Sequence, residues 1–201
     1  MMNAALKLPT HYTYADYYNW SEEERWELIN GEAYAMSAPS RLHQKILVEL
    51  ARQIGNYLEE KTCEIYVAPF DVRLPKRNEK DEQIDTVIQP DLSIICDESK
   101  LDNKGCRGAP DWIIEILSPS SKLMDMEVKR KLYEQHGVKE YWIINPEENQ
   151  LMVYSFYCQD KCNQPIIYSL EQPVQVSLFL DLFINWQFFL SFKGKNDERR
   201  A

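Results

Sequence analysis

Runs of apolar residues divide the chain into short strands and helical stretches. Thr13 with Asp16 forms a capping-box pattern that opens a short helix, with Tyr14, Tyr17, Tyr18 and Trp20 as packing aromatics. Trp26 to Met36 reads as a hairpin turned at Asn30-Gly31. Ser40 caps a helix to about Leu58, on which Ile46, Leu47, Leu50, Ile54 and Leu58 recur at helical spacing while Glu49 falls on the surface. Strands are predicted at Glu64 to Ala68 and Phe70 to Leu74, the second alternating as a half-buried strand, and the polar stretch Pro75 to Asp85 as a mobile hairpin loop. Two further runs, Leu92-Ser93-Ile94-Ile95-Cys96 behind Pro90-Asp91 and the near-continuous Trp112-Ile113-Ile114-Glu115-Ile116-Leu117, read as buried strands. A helix follows from about Asp125 and stops at Gly137. Tyr141 to Ile144 is another buried strand, Asn145 to Asn149 a turn, and Leu151 to Phe156, Pro165 to Leu170 and Val174 to Leu178 an antiparallel extension. The aromatic stretch Phe183 to Phe192 forms a helix that packs on the core or on a second copy of the chain. These elements predict one α/β domain over residues 1–192, a mixed α+β sheet flanked by helices. Its core spans about 13–156, an antiparallel and C-terminal extension spans 157–192, and a disordered tail spans 193–201.

The two buried strands each carry one acid. An ionised carboxylate there is strongly penalised unless it is paired, hydrogen-bonded or bound to a metal. Alternation places Asp91, Ser93 and Ile95 on one face of their strand, and Ile113, Glu115 and Leu117 on one face of theirs. If the strands are neighbours in register, Asp91 and Glu115 converge into a hard-oxygen site suited to Mg²⁺ or Mn²⁺ rather than zinc. On a helical wheel Lys129 falls between Leu132 and Tyr133 on the packed side, whereas Glu127, Arg130, Lys131 and Glu134 point outward. Asp125 lies four positions before it, the favourable order for an ion pair, and Lys122 at the helix start is a second candidate lysine. His43 serves either as a hydrogen-bonding group or in the site, and Glu32 reads as a solvated hairpin acid.

In order and spacing, Glu27 to Glu32 (Glu-Leu-Ile-Asn-Gly-Glu), His43 to Ile46, Gln89 to Ser93, Ile114 to Ser120 (Ile-Glu-Ile-Leu-Ser-Pro-Ser), and the Lys129 to Trp142 stretch resemble the Uma2-type endonuclease family. Members are uncharacterised proteins abundant in cyanobacteria and are placed in the PD-(D/E)xK nuclease superfamily. The resemblance runs from about Thr13 to Asn145. It implies a restriction-endonuclease-like fold and a metal-dependent hydrolysis of phosphodiester bonds in nucleic acid, DNA before RNA. It gives Asp91 and Glu115 the metal, and Lys129 the task of positioning water or neutralising charge on phosphate. Asp125 would orient that lysine, and Glu32 or His43 would complete an outer shell. The superfamily's usual lysine stands two residues after the second acid, where this chain has Leu117; some members move it to the following helix, which makes it Lys129. Cutting both strands together calls for a homodimer, with the aromatic tail as its candidate interface.

Composition narrows the picture. The 201 residues, 44% of them hydrophobic, suffice for a substantial core. No run reaches the roughly eighteen apolar residues of a membrane span and the N-terminus has no secretory pattern, so a cytoplasmic protein without a membrane partner is expected. Five cysteines, odd in number and irregular in spacing, are expected to be reduced thiols; Cys158 and Cys162 could form half a metal site, but no second pair accompanies them. A net charge of −9 runs against the basic footprint that phosphate binding requires. It favours the alternative, a non-catalytic binding or interaction protein that keeps the fold and in which Glu115 and Lys129 are a structural ion pair.

Overall fold

The computed structural model describes residues 11–21, 24–119, 121–156 and 164–197. The expected capping box opens α1 (Tyr14–Tyr17), with the Thr13 N–H donating to Asp16 Oδ2 at 2.8 Å. The mixed α+β architecture flanked by helices is as expected, with its strands divided between two six-stranded sheets rather than one. The first has the order β2 (Glu32–Ala35), β1 (Trp26–Ile29), β5 (Val87–Ile88), β4 (Val72–Arg73), β8 (Gly105–Arg107), β7 (Leu101–Asp102). The second runs β12 (Ile166–Ser169), β11 (Gln150–Ser155), β10 (Glu140–Asn145), β9 (Trp112–Ile116), β6 (Leu92–Ile95), β3 (Glu64–Val67). β13 (Val174–Gln175) and β14 (Phe183–Ile184) form a separate antiparallel pair. The strands of the first sheet are so short that apolar periodicity could not distinguish a second layer.

Each face of the second sheet is covered, which accounts for its near-continuous apolar strands. On one face Leu92, Ile94, Trp112, Ile114, Trp142 and Ile144 pack against Ile46, Leu50 and Ile54 of α2 (Arg41–Leu58). On the other, Ile95, Ile113, Tyr141 and Ile143 meet Leu132 and Tyr133, together with Ile29, Val72 and Ile88 of the first sheet. β9 and β10 are parallel, and α3 (Arg130–His136) lies in the crossover that such a pair requires. Ser40 caps α2 by accepting the His43 N–H at 3.2 Å. Ser40→Ala is expected to lower stability by about 1 kcal/mol; a chemical-denaturation midpoint equal to that of the native chain would contradict this.

Several local expectations are corrected. The strand predicted at Phe70 to Leu74 shrinks to Val72–Arg73, with both residues buried, because the Arg73 guanidinium is neutralised inside by Asp81 (2.5 Å) and Asp102 (2.6 Å). The loop from Pro75 to Asp85 is pinned rather than free: Asp81 also binds Arg107, Asp85 binds Lys76, and Ile84 is fully buried. Trp186 and Phe189 of the aromatic stretch are buried in the chain's own core, which removes them as a dimer interface. α4 (Gln187–Asp197) continues past Lys193, where a disordered tail was expected. Cys63 and Cys96 form a disulfide, because the pairing of Glu64 with Ile95 sets the preceding and following residues opposite each other, Cα–Cα 3.9 Å. The argument from reduced thiols to a cytoplasmic protein lapses with that pair; Cys106 is a buried free thiol, and Cys158 and Cys162 lie outside the described residues. No helix among the described residues is long and apolar enough to cross a membrane.

Candidate functional site

β6 and β9 are antiparallel neighbours with Leu92 opposite Ile114 and Ser93 opposite Ile113. Carried one step further, this register sets Asp91 at the start of β6 against Glu115 near the end of β9, on the face turned toward the first sheet. The two acids are locked together through the backbone. The Asp91 N–H donates to Glu115 Oε2 at 3.1 Å, and the Ile116 N–H donates to Asp91 Oδ2 at 2.8 Å. His43 reaches across from the first turn of α2 and places Nε2 3.0 Å from the same Oδ2. His43 thus makes a hydrogen bond beside the acid pair, an arrangement that suits either of its two expected roles. Among the described residues both of these contacts to the Asp91 carboxylate fall on Oδ2.

Lys129 ends a widened turn, Met124–Lys129, of the i to i+5 type that often accompanies functional sites. A regular helical wheel does not anticipate that turn, yet Asp125 and Lys129 are its buried residues, as expected. The Lys129 ammonium lies 3.0 Å from Glu115 Oε1, 2.9 Å from Glu27 Oε1 and 3.4 Å from Asp125 Oδ1. Tyr133 donates its hydroxyl to Glu115 Oε1 at 2.9 Å. Leu117, in the superfamily's usual lysine position, packs in the core beside the acids. Lys122 pairs instead with Glu148 at the surface.

Glu27, not Glu32, is the hairpin's contribution. Glu32 is exposed on β2 and accepts the Tyr34 hydroxyl at 2.8 Å, whereas Glu27 is buried on β1 and accepts both Lys129 and the Gln89 N–H at 2.9 Å. The available signal was the one that singled out Glu115: an acid inside an apolar strand, Trp26-Glu27-Leu28-Ile29. Gln89, also missed, joins this strand to the site. Its side-chain oxygen accepts Arg25 at 2.8 and 3.1 Å, and its amide donates to Asp71 at 2.9 Å.

A cavity of 280 Å³ opens onto Glu27, Asp91, Glu115, Asp125 and Lys129, with His43 on its wall. Three of these carboxylates share one buried ammonium, and the fourth, Asp91, stands beside His43. Burial pushes the Glu115 carboxyl well above its ordinary range, with the charges of Asp125, Asp91 and Glu27 adding to the effect and Lys129 opposing it. Asp125 is raised for the same leading reason. Burial works against the Lys129 ammonium, but Glu115, Glu27 and Asp125 outweigh it and hold it protonated. Among the described residues no three His, Cys, Asp or Glu side chains converge as a ready-made metal cage. The donors are all oxygens, the kind that hard divalent cations take. Asp125 Oδ1 is buried without an aligned hydrogen-bond donor, the carboxylates are in excess, and Mg²⁺ is commonly held by one or two carboxylates with water filling the remaining positions.

Comparison with known proteins follows the same lines. The family model described as "Uma2: Putative restriction endonuclease" matches residues 14–188. An uncharacterized protein of Synechocystis sp., slr1290, is 27% identical over 142 residues, covering 69% of this chain and 71% of its own. The crystal structure of "a putative nuclease belonging to DUF820" from Anabaena variabilis superposes with a TM-score of 0.70 at 20% identity, over 90% of this chain and 98% of that one. At that identity the likeness shows the fold, which is α+β and restriction-endonuclease-like.

Proposed function

The chain belongs to the Uma2 family, and from that premise we propose that it is a metal-dependent nuclease that hydrolyses phosphodiester bonds, in DNA before RNA. The observation that supports this reading is the surplus of carboxylate around one cavity: Glu27, Asp91, Glu115 and Asp125 against the single buried ammonium of Lys129. Buried charge of one sign is costly unless a counter-charge joins it. Asp91 and Glu115 would hold Mg²⁺ or Mn²⁺, which supplies Lewis-acid activation of water and of phosphoryl oxygen. The chain's own groups do the rest. His43 fixes the Asp91 carboxylate. Glu27 and Asp125 hold Lys129 protonated beside Glu115, where its charge offsets the charge that develops on phosphate. Tyr133 and the Asp91 N–H fix the two Glu115 oxygens and so its orientation.

One observation favours the alternative, a non-catalytic protein of the same fold: Lys129 is fully engaged by acids of the chain, as a structural ion cluster would be. The two readings separate on Glu115→Gln. Lys129 keeps Glu27 and Asp125 in that variant, so it stays folded. Calorimetric titration of Mg²⁺ and Mn²⁺ into both proteins, with cleavage assays on plasmid DNA and single-stranded RNA, is expected to show binding and metal-dependent cleavage by the native chain and neither by the variant. No binding and no cleavage by the native chain, with a variant that is merely less stable, would overturn the nuclease reading.

A further inference from the structure

On the opposite side of β1 from the acids lies a second cavity of 470 Å³, lined by Tyr12, Trp20, Trp26, Ala33, Asn19 and Glu24 among others. Strand alternation accounts for the separation: Arg25 and Glu27 face the acid cavity, while Trp26 between them faces this one. Three aromatic rings line it. Trp20 meets Tyr12 at 5.1 Å between centroids and 84° between planes, and meets Trp26 at 5.9 Å and 71°. Tyr12 is held by its backbone N–H on the Gly31 carbonyl at 2.9 Å, and Trp20 by its own on Tyr17 at 3.0 Å. Glu24 supplies an exposed carboxylate, and among the described residues no cation pairs with it. The neighbouring rings of Tyr14 and Tyr18 already carry a cation, from Arg73 or Lys104. No lysine or arginine among the described residues stands over Tyr12, Trp20 or Trp26.

We propose that this aromatic box binds a small alkylated ammonium ion, of the quaternary or methylated-amine class. The negative faces of aromatic rings attract a cation, and rings set nearly perpendicular enclose a rounded group from several sides. The 84° and 71° angles leave no pair of parallel rings among Tyr12, Trp20 and Trp26 to sandwich a flat nucleobase. The exposed Glu24 carboxylate adds attraction for a cation and repels a phosphate-bearing ligand. The volume lies within the range of small-molecule sites.

The test uses the full chain and choline as probe, with 3,3-dimethylbutan-1-ol as its uncharged isostere and AMP as a nucleotide control. Titration is followed by tryptophan fluorescence and calorimetry. Choline is expected to bind saturably, the uncharged isostere about tenfold more weakly, and AMP not at all. Glu24→Gln, an exposed change that leaves the fold intact, is expected to weaken choline about threefold, and Trp26→Ala to abolish binding. Glu115→Gln should bind choline as the native chain does, so failure of the nuclease reading leaves this result standing. No saturable choline binding, equal binding of the isostere, preferential binding of AMP, or a Glu24→Gln variant with unchanged affinity would overturn the proposal.

Discussion

Lys129→Met is expected to lower the unfolding free energy by about 3–5 kcal/mol at pH 8, the cost of leaving buried charges without their partner. The side chain is 6% exposed and touches three carboxylates that are equally or more buried, so solvent screening offers little relief. The pH dependence has a definite sign. Burial raises the Glu115 and Asp125 carboxyls above their ordinary range even with Lys129 present. Between the unfolded and the raised folded value, the folded chain binds more protons than the unfolded one, so stability falls as pH rises across that window. Removing Lys129 raises both carboxyls further and widens the window. The deficit of the variant therefore grows as pH rises through the raised folded values and shrinks toward acid. The stabilisation that Lys129 supplies in the native chain persists below its ordinary value of 10.5 and is lost only in alkali beyond it, because its own pKa is raised. Urea unfolding of both proteins at pH 5 and pH 8 checks this. A loss below about 1 kcal/mol at pH 8, or one that grows toward acid, would show that the acids do not depend on this ammonium.

The site was legible where a local rule sufficed. Period-two alternation put Asp91 and Glu115 on faces that the β6–β9 register then brought together. Helical spacing put Lys129 and Asp125 on the packed side, and a widened turn did not change that because Leu132 and Tyr133 anchor the same stripe. Tertiary pairing was less accessible. Glu27 and Glu32 stand in one hairpin, Ile29 opposite Glu32 and Glu27 opposite Tyr34, with both acids on the same face. Only the docking of that hairpin over the second sheet covers one and leaves the other in solvent. Tyr133 looked like packing because its ring is packing, in an edge contact with Tyr141 at 4.8 Å; its hydroxyl alone enters the site. The Cys63–Cys96 pair was hidden for the same reason: strand register, not spacing along the chain, makes those residues neighbours.

Gly105→Ala is expected to cost about 3–5 kcal/mol, well beyond the effect of backbone strain alone. Gly105 has φ +113°, a conformation that L side chains rarely adopt, and a Cβ there would lie 2.2 Å from the Asp71 carbonyl oxygen. That carbonyl also accepts the Cys106 N–H at 2.8 Å, so it cannot retreat without breaking the β4–β8 connection. Gly137, at φ +86° with nothing within 4 Å of its would-be Cβ, isolates the conformational part, and Gly137→Ala should cost only about 1 kcal/mol. Equal losses for the two in urea unfolding would mean that the contact at Asp71 is absorbed. The displacement also has a route to the acids. The Asp71 carboxylate holds Tyr17 and the Gln89 amide at 2.9 Å each, and the Gln89 N–H donates to Glu27 Oε1. In Gly105→Ala the Gln89 amide hydrogen is expected to exchange faster than in Gly137→Ala, because a shifted Asp71 loosens the segment that carries it. A substitution at the start of β8, remote from the cavity, would thus reach Glu27, one of the three carboxylates that keep Lys129 charged.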